Sequence, residues 1–91
     1  MRLSPREISI IKTTIEEYFP GASVYLFGSR TDPEKRGGDI DLYVITPHPD
    51  YERKLRLIAR LQRRLHKPVD LLLHRDFQRP IEQEALRGIP L

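Results

Sequence analysis

The chain has 91 residues, with 16 Lys and Arg against 13 Asp and Glu, and 38% of its residues are hydrophobic. A chain of this length builds one core, so we expect a single domain over residues 1–91, which leaves open association with a partner or a second copy. The sequence has no cysteine, which excludes a disulfide scaffold, a thiolate zinc site and a cysteine nucleophile. No run approaches the roughly 20 apolar residues of a membrane span, so we expect a cytoplasmic protein without a membrane partner.

The first third of the chain predicts a helix, a strand and a loop. A capping pattern that begins at Ser4 starts the helix, and isoleucines at helical spacing continue it to Tyr18. Residues 23–27 are β-branched and aromatic, which predicts a short strand that ends at Gly28. Residues 31–38 are polar and contain Pro and Gly, so they predict a loop.

The remainder predicts a strand over 40–45, a helix over 50–66, a strand over 69–73 and a last, shorter helix over 77–87. This order of elements predicts the fold class α+β. We expect a small mixed β-sheet with helices packed on one side.

Three aspartates are the candidate metal ligands. Asp39 and Asp41 are two apart in a strand, so both carboxylates leave the same face with Cα atoms about 6 to 7 Å apart. Asp70 joins them if the strand over 69–73 neighbours the first. Because Mg²⁺ prefers carboxylate oxygens together with substrate phosphates, such a cluster suits a two-metal site.

The turn after the first strand supplies candidate phosphate ligands. Gly28 lets the backbone approach a ligand closely, Ser29 offers a hydroxyl and an amide, and Arg30 adds a forked cation.

Together these residues form one pattern: Gly28-Ser29, nine spacer residues, Asp39-Ile40-Asp41, and Asp70 on a later strand. In this pattern the chain resembles the DNA polymerase beta-like nucleotidyltransferase superfamily. It is most similar to the minimal nucleotidyltransferases, including their closing motif, here residues 88–91.

The resemblance implies the polymerase beta-like fold and a role for each matching residue. Gly28, Ser29 and Arg30 bind ATP or another nucleoside triphosphate. Two Mg²⁺ ions bind to the three aspartates, of which Asp70 also helps to activate the acceptor hydroxyl. The resemblance further implies a helical HEPN-type toxin as partner, with AMP transferred to one of its tyrosines, in a type VII-like toxin–antitoxin system.

Several alternatives stay open. The chain could be a non-catalytic antitoxin that neutralises its partner by contact alone. Asp70 could be an edge-strand carboxylate or a salt-bridge partner of Arg75. The basic stripe on the second helix is either a solvated face or an interface with an acidic partner or RNA, although the absence of interleaved aromatics argues against nucleic acid. The stripe consists of Arg53, Arg56, Arg60, Arg63 and Lys67.

Overall fold

A computed structural model of the chain describes residues 3–28 and 40–91. Its elements in chain order are α1 (Pro5–Tyr18), β1 (Ser23–Phe27), β2 (Ile40–Ile45), α2 (Tyr51–Leu65), β3 (Val69–Leu73), α3 (Pro80–Ala85) and β4 (Ile89–Pro90). None of the helices in these two ranges is long and apolar enough to cross a membrane.

The four strands form one mixed sheet in the order β3-β2-β1-β4. β1 and β2 are antiparallel, with Ser23 opposite Ile45, and β4 is antiparallel to β1 on its other side. β2 and β3 are parallel, with Ile40 opposite Val69. The predicted small mixed sheet is therefore confirmed.

One face of the sheet carries the hydrophobic core. Alternate residues of the two central strands are buried there, because side chains along a strand point to opposite faces in turn. They are Val24, Leu26, Ile40, Leu42 and Val44. α1 and α2 pack against this face through a second set of buried residues, namely Ile11, Ile15, Leu57, Leu61 and Leu65. For these two helices the prediction of packing on one side of the sheet is confirmed.

Polar contacts fix α1 and join it to α2. The predicted capping box is present, with the Ser4 hydroxyl accepting from the Glu7 amide at 3.1 Å and the Glu7 carboxylate accepting from the Ser4 amide at 3.0 Å. One guanidinium nitrogen of Arg64 donates to the buried Thr14 hydroxyl and to Glu17, both at 2.8 Å. These contacts set how the two helices lie across the sheet.

The C-terminal region differs from its prediction. α3 begins at Pro80 and not at Phe77, because Phe77 has a left-handed φ of 64° that is incompatible with an α-helix. After α3, Ile89–Pro90 add a short edge strand that was not predicted. α3 contacts the face of the sheet opposite the core, where its Glu82 accepts from the Tyr43 hydroxyl.

The buried face of α2 gives a direct test of this packing. Leu61 is fully buried, whereas Leu55 on the same helix is 49% exposed. We expect Leu61→Ala to lower the free energy of unfolding by about 2–5 kcal/mol, through lost burial and the cavity left behind. The same substitution at Leu55 should change it by about 0.5 kcal/mol or less. Urea unfolding measures both, and similar losses at the two positions would contradict this orientation of α2.

Candidate active site

Two of the predicted aspartates lie side by side on neighbouring strands. Asp41 of β2 is the register partner of Asp70 of β3 in the parallel pair. Paired strands are about 4.8 Å apart and register partners share a face of the sheet. Asp70 is exposed and its neighbours Val69 and Leu71 are buried, so both aspartates lie on the face opposite the core.

Gly28 lies directly against one of these carboxylates. Its φ is 74°, in the left-handed region that favours glycine. A Cβ built on Gly28 would overlap Oδ2 of Asp41, and would lie 3.1 Å from its Cγ and 3.3 Å from its Cβ. The close approach follows from the register, which pairs the preceding residue, Phe27, with Asp41. The turn after β1 and the acidic strand thus meet at one point.

Three of the predicted site residues, Ser29, Arg30 and Asp39, lie outside the described residues, so their assignments stay predictions. Within residues 3–28 and 40–91 no three His, Asp or Glu side chains form a metal-binding group. The described part of the site therefore consists of Asp41, Asp70 and the backbone of Gly28.

The structure shows the contacts of Arg75, which was the alternative salt-bridge partner of Asp70, and of two histidines. The Nε atom of Arg75 is 3.9 Å from Asp76, and no ion pair between Arg75 and Asp70 occurs among the described residues. His66 ends α2 in a left-handed conformation. The Nδ1 atom of His74 is 3.1 Å from the Tyr43 hydroxyl and also 3.1 Å from Glu82.

Next to the aspartates, a buried carboxylate ties the segment after β3 to the sheet. Glu82 of α3 is fully buried. Its Oε1 accepts from the Tyr43 hydroxyl at 2.9 Å and from the backbone amide of Arg75 at 2.8 Å. Its Oε2 accepts from Nε of Arg79 at 2.9 Å, and a second nitrogen of that guanidinium donates to the Leu73 carbonyl at 2.7 Å. Tyr43 is two residues from Asp41 on the same face, so this cluster supports the strand that carries the site.

The cluster shifts the acidities of its members. Burial raises the pKa of Glu82, but hydrogen bonds from Arg79, the Arg75 amide and Tyr43 outweigh it and hold that pKa well below its usual range. Burial and the hydrogen bond to Glu82 raise the pKa of Tyr43 well above its usual value. Glu82 is thus an anion at neutral pH and Tyr43 stays a neutral donor.

Glu82 was not among the predicted site residues. The structure shows Tyr43 fully buried with its hydroxyl bonded to Glu82. The available signal was Arg79 three residues before Glu82, which is a common spacing for an ion pair on a helix.

A family model described as Polymerase beta, Nucleotidyltransferase matches residues 9–91 of the chain. Among curated proteins, none matches this sequence.

Three solved toxin–antitoxin complexes contain a similar chain. An MntA–HpeT mutant with two aspartate-to-glutamate changes matches at 29% identity and a TM-score of 0.62, over 74% of this chain and 55% of that chain. A tri-AMPylated Shewanella oneidensis HEPN toxin in complex with an MNT antitoxin matches at 27% identity and a TM-score of 0.69, over 90% of this chain and 64% of that chain. An MntA–HpeT mutant with a tyrosine-to-alanine change matches at 27% identity and a TM-score of 0.74, over 93% of this chain and 69% of that chain. The chain thus spans less than two thirds of the first two chains.

The contact between Gly28 and Asp41 predicts a difference between two glycine substitutions. Gly21 has a similar φ of 77°, but a Cβ there meets nothing within 4 Å. Both Gly→Ala variants should lose about 1–2 kcal/mol of stability through backbone strain. Gly28→Ala should lose at least about 1 kcal/mol more, because the Asp41 Cβ is held by its strand and rotation of the carboxylate does not move it. Equal urea midpoints for the two variants would contradict the contact.

The low pKa of Glu82 predicts how stability depends on pH. A carboxyl group whose pKa is lower in the folded state stabilises the protein above its unfolded pKa of about 4.3, and this contribution is lost as the pH falls toward the folded value. We expect Glu82→Gln to lower the free energy of unfolding on the order of 3 kcal/mol at pH 7, because Arg79 loses its buried partner. The gap between the variant and the wild type should narrow below about pH 4.5.

Unfolding in urea from pH 7 to pH 3 measures that gap. Glu84→Gln on the same helix is the control, because Glu84 is exposed and its substitution should leave the wild-type profile unchanged. A gap that stays constant across this range would show that the charge of Glu82 does not stabilise the fold.

Proposed function

Because the chain belongs to the polymerase beta nucleotidyltransferase family, we propose that it transfers AMP from ATP to a hydroxyl group of a partner protein. The observation that carries this proposal is the position of Asp41, which is beside Asp70 on one side and against the turn at Gly28 on the other. Carboxylates for metal binding and a backbone turn for phosphate binding are the two parts that the reaction needs.

The residues fit Mg²⁺, which takes hard oxygen ligands and is held by one or two carboxylates together with substrate phosphates. Asp41 and Asp70 provide neighbouring carboxylates on one face, and the two-residue spacing in the sequence predicts that Asp39 adds a third. Two Mg²⁺ ions would bind here, and when bound they supply charge neutralisation at the attacking and leaving oxygens.

The triphosphate binds in this proposal at the turn after β1. The left-handed φ of Gly28 forms a turn where β1 ends, and Gly28 lies against Asp41, so a phosphate bound at this turn would be beside the acidic residues. Ser29 adds its hydroxyl, and Arg30 adds a guanidinium that neutralises phosphate charge.

The proposed transfer is a single displacement at phosphorus. The acceptor oxygen bonds to the α-phosphorus of ATP, the bond from that phosphorus to the bridging oxygen breaks, and pyrophosphate leaves. Asp70 accepts the hydroxyl proton, which passes to water. Asp70 suits this role because it is exposed at the edge strand, where an acceptor from another chain has access.

A tyrosine of a HEPN-type toxin is the proposed acceptor. Its support comes from the similar complex of an MNT antitoxin with a HEPN toxin, in which the toxin is tri-AMPylated. In another, two aspartates two positions apart are replaced by glutamate, which is the spacing of Asp39 and Asp41 here. The alternative is a non-catalytic antitoxin that neutralises the toxin by contact. Retention of the neighbouring carboxylates favours the enzyme, since binding alone does not require them.

Transfer of label tests this function. The full chain is incubated with Mg²⁺, α-labelled ATP and the purified HEPN-type protein encoded beside it. We expect label on the HEPN-type protein. Asp41→Asn should lower the rate of labelling on the order of a hundredfold, because a neutral amide holds Mg²⁺ more weakly than a carboxylate and Mg²⁺ neutralises the negative charge that develops during transfer. Removal of Mg²⁺ by EDTA should abolish the labelling.

Asp50→Asn is the matched control. Asp50 caps α2 beyond the far end of β2 by accepting from the Arg53 amide at 3.1 Å, and asparagine caps a helix equally well. The Asp50→Asn variant should label the HEPN-type protein at the wild-type rate. A stable complex without label in the wild type would overturn the enzyme and support the non-catalytic antitoxin. Label that persists in Asp41→Asn would show that transfer does not depend on this carboxylate.

A further inference from the structure

The positive charge of the protein is concentrated on α2. This helix contains six basic residues and one acidic residue, a net charge of +5, whereas the whole chain has a net charge of +3. The remainder of the chain therefore carries a net charge of −2. An uneven distribution of this kind directs a charged partner to one surface of a small protein.

Some of the basic side chains on α2 have partners within the described residues. Arg53 donates to the Tyr18 carbonyl at 3.3 Å, and Arg64 is bonded to Thr14 and Glu17. Lys54 lies over the Tyr51 ring, 5.2 Å from its centroid. Three of the six basic residues of α2, namely Arg53, Lys54 and Arg64, therefore have contacts within the fold.

The other three form what we call the arginine surface, namely Arg56, Arg60 and Arg63. All three are exposed, and none forms an ion pair or a side-chain hydrogen bond within residues 3–28 and 40–91. With Tyr18 and Ala59 they line a shallow groove. Because their spacing is four and then three residues, they follow one side of the helix over about 10 Å. Like charges at this spacing destabilise an isolated helix slightly, so the fold itself gains nothing from them.

The arginine surface is on the opposite side of the sheet from the candidate active site. α2 packs through Leu57 and Leu61 against the face that contains Leu42. Asp41 alternates with Leu42 along β2 and so points to the other face. A molecule bound at the arginine surface therefore does not occupy the nucleotide site.

We propose that the arginine surface binds an acidic surface of the HEPN-type partner protein, at a contact separate from the active site. The inference rests on the proposed function for the identity of this partner. Guanidinium groups bind carboxylates through paired hydrogen bonds, and three exposed guanidiniums without partners among the described residues match a patch of Asp and Glu. An acidic protein suits the surface better than RNA. No aromatic residue interleaves with the arginines along α2 between Arg53 and Arg64, and the one ring among the groove-lining residues, Tyr18 of α1, is too few for a run of stacked bases.

Affinity for the partner tests the proposal. Binding of the full chain to the purified HEPN-type protein is measured by biolayer interferometry in 50 mM and 300 mM NaCl. The triple variant Arg56→Glu, Arg60→Glu, Arg63→Glu should bind at least about tenfold more weakly in the lower salt, because like charges then face each other. The wild type should weaken as salt increases, since exposed charges are screened.

Charge and folding are controlled separately. Replacing Arg6, Lys12 and Arg87 by Glu changes the net charge by the same amount at exposed positions that do not line the groove. This variant should bind within about twofold of the wild type. Circular dichroism verifies folding, and the milder triple Arg→Gln variant serves if the charge reversal unfolds the chain. We expect the Gln variant to lose affinity in the same direction.

The outcomes separate this proposal from the proposed function. A stable complex of the wild-type chain without label overturns the transfer and leaves the surface in place. Wild-type affinity in the arginine variants, or an equal loss in the control triple, overturns the surface while transfer stands. If the arginine variants keep their affinity for the partner but lose binding of a 20-nucleotide RNA, the surface binds nucleic acid and the proposal is overturned.

Discussion

Two carboxylates held side by side on neighbouring strands are the constraint on which the rest of this structure depends. Two unit charges about 5 Å apart repel by about 1 kcal/mol in water and by about 3 kcal/mol at the effective dielectric constant of a protein surface. The parallel register makes Asp41 and Asp70 neighbours on one face of the sheet, so this repulsion acts between β2 and β3. Other contacts must therefore hold the strands together, and under the proposed function a cation bound to the pair would relieve the repulsion.

Those contacts come from both faces of β2. On one face, Leu42 and Val44 are fully buried beneath α1 and α2. On the other, Tyr43 reaches α3 through the buried anion Glu82, to which Arg79 also donates. The acidic strand is thus packed on its apolar face and anchored by a charged hydrogen bond on its polar face. The position of Asp41 follows from these contacts.

Local patterns predicted most of this arrangement. Alternation and helical spacing located β1, β2, β3 and both long helices, and the two-residue spacing placed Asp41 on the polar face. Glu82 could not be found in this way, because its partners come from β2 and from the irregular segment after β3, and only the folded chain brings them together. β4 was missed because two residues are too few for a periodic pattern, and one of them is Pro90. Ser29, Arg30 and Asp39 stay predictions from the motif.

The two faces of the sheet also explain how one small domain could serve as both an enzyme and an antitoxin. The acidic residues lie on one face, whereas Arg56, Arg60 and Arg63 lie on the outer side of a helix that covers the other. Under the proposed function, partner binding and nucleotidyl transfer therefore use different residues and contribute separately to the complex. A relative that lost its aspartates would keep the basic helix, because α2 packs through Leu57, Leu61 and Leu65 against the other face of the sheet. The non-catalytic alternative is thus the same structure with one face inactive.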